Sequence, residues 1–280
     1  MSEHNLPPTL KSREYKVMVD HLRFDQAEQA VADFWSEIKS LAESLGFSTD
    51  GELKLDKERS ITFFDTPDHS FRRNGLVLRQ RRKANGNTQY TLKSRSPDRY
   101  IAQGANVAED PEILKIERVE IKKKLEDDIS VPFISRFSLS NTLKFKRDHL
   151  PPFGEQPKTV EDCATLFSVL KKLTANGVEL PLATSVIPVN NLTAYERVFA
   201  EGFVDFATSK ATKTEVALIL WSLGEKGRPL VAEFSFKYRD ENGDFERDVA
   251  ISAKRFFERV QTMDWILLSG KTKTRYVYGD

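Results

Sequence analysis

Residues 63–93 read FFDTPDHSFRRNGLVLRQRRKANGNTQYTLK. Arg79 and Arg81 stand two apart in a run flanked by Leu76, Val77 and Leu78, and Lys93 closes the run that follows. A strand has a side-chain period of two, so Arg79 and Arg81 share a face. Between the runs lies Ala84-Asn85-Gly86-Asn87, which is hairpin chemistry. The hairpin folds Thr91-Leu92-Lys93 back along Leu78-Arg79-Gln80-Arg81, so several cations meet on one face of one antiparallel pair. Cations placed so close repel unless an anion sits among them. A lone Arg-x-Arg is more often a solvated basic strand, and the charges on other strands weigh against that reading here.

Composition gives no global pull that would explain such a cluster. The chain has 280 residues, 39% hydrophobic and 10% aromatic, enough for a core. Its 43 Lys and Arg nearly cancel 42 Asp and Glu, leaving a net charge of +1. Neither a nucleic-acid duplex nor a membrane surface is an expected partner, and anion binding must come from local clustering. The single Cys163 excludes an intrachain disulfide and a thiolate zinc site, and it reads as a small core residue. His4, His21, His69 and His149 have no metal-type spacing. Without a signal-peptide pattern or a membrane-length apolar run, a soluble cytoplasmic protein is expected.

The pattern along the chain is rich in strands. After ten polar residues expected to form a loose end, residues 11–20 (KSREYKVMVD) alternate, with Ser12, Glu14, Lys16 and Met18 on one face. A helix follows Asp25, striped by Ala27, Val31, Phe34, Trp35, Ile38 and Ala42 and closed by Gly46. Residues 61–64 read as a strand and Asp65-Thr66-Pro67-Asp68 as its turn. Residues 113–125 read as a strand carrying Arg118, Glu120 and Lys122 at period two, with a helix as the competing reading. Residues 133–146 alternate weakly. Thr159 opens a helix to about Leu173, with Asp162 in a capping-box position. Residues 198–207, 215–221 and 230–238 read as late strands. A helix capped by Ser252 runs to about Met263, and residues 271–276 alternate cations with threonines.

Several of these strands carry charge on one face and apolar bulk on the other. Closing them into a barrel puts the mixed-charge face inside. The expected fold class is therefore α+β: a closed antiparallel barrel with a polar lumen and helices packed outside. Lys16, Arg79, Arg81 and Lys93 would line that lumen and hold a polyanion. Glu14 and Glu233 fit such a lumen if a hard divalent cation is also held, because Mg²⁺ is bound through one or two carboxylates plus substrate phosphates. Those are the parts of phosphoryl-transfer chemistry.

The chain resembles the CYTH superfamily, the triphosphate tunnel metalloenzymes, which include thiamine triphosphatases, inorganic triphosphatases and class IV adenylyl cyclases. FFDTPDHSFRRNGLVLRQRRK followed by YTLK is similar to the family's tyrosine-aspartate-threonine-proline, leucine-arginine-x-arginine and threonine-leucine-lysine segments, in order. Glu14-Tyr15-Lys16 resembles the end of its Glu-x-Glu-x-Lys signature, and Arg118-Val119-Glu120 its arginine-x-glutamate strand. Residues 227–236 (GRPLVAEFSF) resemble the late acidic strand, and Lys273 the C-terminal lysine. The resemblance implies one domain over residues 1–280, an eight-stranded tunnel, and a variable insertion at about 126–195. It implies Mg²⁺ or Mn²⁺ on Glu14, Glu233 and Glu120. It implies phosphate contacts from Lys16, Arg79, Arg81, Lys93, Arg118, Arg197 and Lys273, with Lys16, Glu14 and Glu233 as the catalytic set. The ligand would be inorganic polyphosphate or a small molecule carrying a triphosphate.

The departures fall on the acids. Ser12 and Ser235 stand where the family has glutamates, and its late aspartate has only Glu215 or Asp205 as candidates. Two readings follow. One is metal-dependent hydrolysis of a triphosphate. The other is a tunnel that binds polyphosphate or a nucleotide without chemistry.

Overall fold

The computed structural model describes residues 8–175, 177–206, 208 and 213–279. Most of the expected loose start, and the expected strand end at Ala207, lie outside the described residues. The strands are β1 (Leu10–Val19), β2 (Ser48–Asp50), β3 (Lys54–Asp65), β4 (Leu76–Arg82), β5 (Thr88–Ser96), β6 (Glu120–Ser130) and β7 (Ile134–Phe145). They continue with β8 (Thr174–Ala175), β9 (Val178–Glu179), β10 (Ile187–Asp205), β11 (Lys213–Ser222) and β12 (Pro229–Arg239). The helices are α1 (Ala27–Ser44), α2 (Ser70–Arg73), α3 (Arg99–Gln103), α4 (Val160–Leu166), α5 (Arg247–Val260) and α6 (Lys273–Tyr278).

The main sheet runs β11-β12-β1-β6-β7-β5-β4-β3-β10-β2, and β11 also pairs with β10, so the ladder closes. Nine strands form the ring and β2 hangs on β10. The closed β-barrel is as expected, but eight antiparallel strands is corrected to nine strands of mixed direction. An odd ring cannot alternate direction all the way round. β10, with 19 residues, greatly exceeds the strand expected at 198–207.

Two compact units can be distinguished. Among the described residues, one comprises 8–9, 59–125, 136–175 and 177–193, and the other 10–58, 126–135, 194–206, 208 and 213–279. In the second, the apolar side chains of β1, β11 and β12 meet α1 and α5. Tyr15, Val17, Val216, Leu218, Leu220, Phe234 and Phe236 form a core with Phe34, Trp35, Ile38, Phe256 and Phe257. The α1 stripe is as expected from its spacing, although Gln26 rather than Asp25 precedes the helix and caps it with no side chain. Helix α5 begins five residues before Ser252, which is therefore not its cap.

In the first unit, the Asp65-Thr66-Pro67-Asp68 turn is held by the buried Asp65 carboxylate. It accepts hydrogen bonds from the backbone N–H groups of Thr66 (2.8 Å), Phe71 (2.8 Å) and Arg72 (3.1 Å). That satisfies the otherwise orphaned donors at the start of α2. Helix α4 has the expected capping box of Thr159 and Asp162, but α-geometry stops at Leu166 and a 3-10 turn continues over Ser168–Lys172. Cys163 is fully buried, and burial, with Asp162 and Asp65 nearby, pushes its thiol well above its ordinary pKa. The competing readings at residues 113–125 both fail in part. Pro111–Lys115 is a 3-10 turn and β6 starts only at Glu120.

Candidate functional site

The polar face of the first unit is fixed by register. On β4 and β5, Arg79 lies opposite Thr91, Arg81 opposite Gln89, and Val77 opposite Lys93. Directly opposed residues share a face, so Arg79, Arg81, Gln89, Thr91 and Lys93 all project from one side of the hairpin. β7 extends the row, with Thr142 opposite Thr91 and Ser140 opposite Lys93, and the Thr91 and Thr142 hydroxyls are 2.9 Å apart. Arg79, Arg81 and Lys93 are half-buried. The reverse face is tied down separately. Gln80 donates to the Tyr90 hydroxyl (2.7 Å), which donates to the Glu155 carbonyl (2.8 Å). Arg82, next along β4, makes a bidentate pair with the exposed Glu155 carboxylate (2.6 and 2.5 Å). Alternation along one strand thus sends one arginine to the surface and its two neighbours of like phase to the polar face.

The second unit has its own polar face, opposite the aromatic core. β1 lies against β12 with Glu14 opposite Lys237, Lys16 opposite Ser235 and Met18 opposite Glu233. β11 continues the rows, with Glu215 opposite Lys237, Ala217 opposite Ser235 and Ile219 opposite Glu233. The charges on this face are closely paired. The Lys16 ammonium sits 2.9 Å from Glu14 and 2.7 Å from Asp128. Lys273, at the start of α6, reaches Glu233 at 2.7 Å, with 16% and 6% of the two side chains exposed. The same ammonium lies 5.8 Å from the centre of the Trp221 ring, and the Trp221 indole N–H donates to Glu196 at 2.8 Å. Glu215 meets Lys237 (3.0 Å) and Arg239 (3.3 Å).

Burial works against the charge on Glu14, but the Lys16 ammonium outweighs it and holds the carboxyl below the ordinary value of 4.5. A depressed carboxyl pKa contributes stability that is present above the unfolded value and lost as pH falls through the folded one. Glu14→Gln should therefore be less stable than the wild type at pH 7, and the gap should close on acidification below about pH 4. Urea midpoints at the two pH values check this; a gap that persists in acid would mean the carboxylate charge contributes nothing.

Other expected site residues fall elsewhere. Arg197 lies opposite Leu220, on the core side of β10, with its guanidinium 3.5 Å from Glu28 of α1. Its neighbour Glu196, opposite Trp221, takes the polar face, because adjacent residues of a strand point to opposite sides. Arg118 is exposed in a turn with φ 60°, not on a strand. Glu120 is exposed and paired with Lys144 at 2.5 Å. Of the two candidates for a late acid, Glu215 shares the row of Glu14, while Asp205 ends β10 opposite Lys213.

Sequence reasoning missed Asp128, Glu196 and Trp221. Asp128 sits in a Glu-Asp-Asp run, where the three acids cannot be told apart until the strand phase is known. Lys122, Lys124, Glu126 and Asp128 at period two carried that phase. Asp127, out of phase, instead pairs with Arg13 at 2.9 Å.

Three side chains able to ligate a metal ion do not converge among the described residues. Glu14 and Glu233, the carboxylates expected to hold Mg²⁺ or Mn²⁺, each have a lysine ammonium in contact. The donor set as it stands does not fit a divalent ion.

Residues 13–125 match the family model of the CYTH domain. The matched stretch holds Glu14, Lys16, Arg79, Arg81 and Lys93, and it ends before Asp128, Glu196, Glu233 and Lys273. No curated protein sequence matches the chain. Among solved structures, a Bacillus halodurans protein assigned as an adenylate cyclase aligns with a TM-score of 0.43 at 11% identity, over 98% of this chain and 100% of that one. A Hippeastrum protein assigned as an adenylyl cyclase, with a dominant triphosphatase activity, aligns with a TM-score of 0.41 at 10% identity, over 96% and 95% of the two chains. At these scores the structural likenesses add nothing to the family match.

Proposed function

We propose that this chain, whose residues 13–125 match the CYTH domain, binds a triphosphate-type polyanion, either inorganic tripolyphosphate or a small molecule that carries a triphosphate. The observation that carries the proposal is the row formed by Arg79, Arg81 and Lys93 on one face of β4 and β5. Three cations in one row on one sheet face match an extended anion with several charged oxygens. Guanidinium groups suit such a ligand because each can offer two parallel N–H donors to one phosphate. Thr91, Gln89 and Thr142 add neutral donors beside them.

A second reading is hydrolysis of the terminal anhydride with Mg²⁺ or Mn²⁺. It draws on the carboxylates Glu14, Asp128 and Glu233 gathered on adjoining strands. In that reading Lys16 and Lys273 orient phosphate oxygens. Ser12 and Ser235, in place of carboxylates, weigh against it.

One experiment separates the readings. Tripolyphosphate should raise the melting temperature of the wild type, as any ligand that binds only the folded state must. Release of phosphate in Mg²⁺ or Mn²⁺ would establish the hydrolase. Stabilisation without release would establish a binding protein. Absence of both would sink the proposal.

A further inference from the structure

The carboxylates a divalent ion would need are already engaged by the protein's own cations. Lys16 is shared between Glu14 and Asp128, and Lys273 holds Glu233 in a position shielded from water. Neither lysine depends on ligand for its place. Lys16 is fixed by the β1–β12 register, which sets it opposite Ser235. Lys273 opens α6, a helix capped by Thr272, and is flanked by the Trp221 ring, itself tethered to the buried Glu196. A hard divalent cation bound to any of these three carboxylates would stand close to an ammonium already in contact with the same group. The Ser12 and Ser235 hydroxyls would supply no negative charge. Two neighbouring acids are engaged as well: Glu215 meets Lys237 and Arg239 through one oxygen, and Glu126 accepts from Ser12 at 3.3 Å.

We infer that this protein binds its polyanion without a divalent metal, Lys16 and Lys273 acting as the resident counter-cations of Glu14, Asp128 and Glu233. The inference rests on the proposed triphosphate-type ligand and deepens it. The species bound is the free polyanion rather than its metal complex. A metal-complexed triphosphate carries less negative charge to offer the Arg79, Arg81 and Lys93 row, so excess Mg²⁺ should compete with the protein for the ligand.

The test is calorimetric titration of the full chain with sodium tripolyphosphate, once in EDTA and once in excess Mg²⁺. The inference expects binding in EDTA, weakened about tenfold or more by Mg²⁺. Binding that appears only with Mg²⁺, or tightens with it, overturns the inference and leaves the polyanion reading standing. No binding in either solution overturns that reading and the inference with it. A second measurement needs no polyanion. The Mn²⁺ electron-spin-resonance signal should stay that of the free ion when wild-type protein is added, and loss of that signal would also overturn the inference.

Discussion

Arg79→Ala is expected to lower the affinity for inorganic tripolyphosphate by about a hundredfold or more. Hydrogen bonds to charged groups contribute about 1.5–3 kcal/mol each, and a guanidinium gives a phosphate two of them. Each 1.4 kcal/mol is about tenfold in affinity. Arg79 is the most telling position because its partners across both strand pairs are known. Phe63 lies opposite it on β3 and Thr91 on β5, so the truncated residue keeps the strand in register. The fold should tolerate the change, since the truncation leaves the β4 backbone ladder intact. Calorimetry of the variant, with circular dichroism to confirm its fold, checks the expectation. Arg82→Ala is the matched control. It removes a guanidinium from the same strand but from the Glu155 pair on the surface, and it should leave tripolyphosphate affinity within about threefold. Equal losses in both variants would mean that only net charge matters and that the row is not a site.

Phe236→Ala is expected to destabilise the protein by about 3–5 kcal/mol, the range for an aromatic lost from a packed core. Phe236 is 1% exposed and its ring sits among five other aromatic rings of its unit's core. It stacks on Tyr15 with centroids 4.7 Å apart and planes 4° apart, and it meets Phe256 edge-on at 5.0 Å. Phe257, Phe206 and Phe234 lie within 6.2–6.4 Å. Tyr15 and Phe256 belong to β1 and α5, so the ring clamps strand to strand and strand to helix. Urea unfolding followed by tryptophan fluorescence measures the loss. A cost under about 1 kcal/mol would mean that the cluster repacks into the space. Because Phe236 alternates with Ser235 and Lys237, this variant should also loosen the polar face and weaken tripolyphosphate binding as stability falls.

The sequence carried the fold through period-two charge, and it carried the site wherever that period was unambiguous. Arg79, Arg81 and Lys93 were legible because Arg-x-Arg and a short hairpin leave one geometry open. Glu14 and Lys16 were legible for the same reason, since Tyr15 and Val17 between them are apolar. Arg197 was misread because Glu196-Arg197 puts two charges side by side, and only the register with Trp221 and Leu220 tells which one faces the polar side. Asp128 was lost in a run of acids. The length of β10 was out of reach, because it owes its 19 residues to partners on either side of it and not to a pattern of its own. Helix ends also shifted, at α4 and α5, where caps compete with tertiary packing.

The pairing of β1 with β12 has a bearing on how the chain is made. Lys16 is made long before its neighbour Ser235, which belongs to β12. Through most of synthesis, β1 has an open flank with Tyr15 and Val17 bare of the helix α5 that later covers them. A long apolar flank with unpaired backbone groups is a template for wrong partners. A nascent chain that stalls before residue 229 should therefore be captured by chaperones or aggregate. The fate of β1 is decided by a strand made long after it, so truncation ahead of β12 should be as damaging as loss of β1 itself.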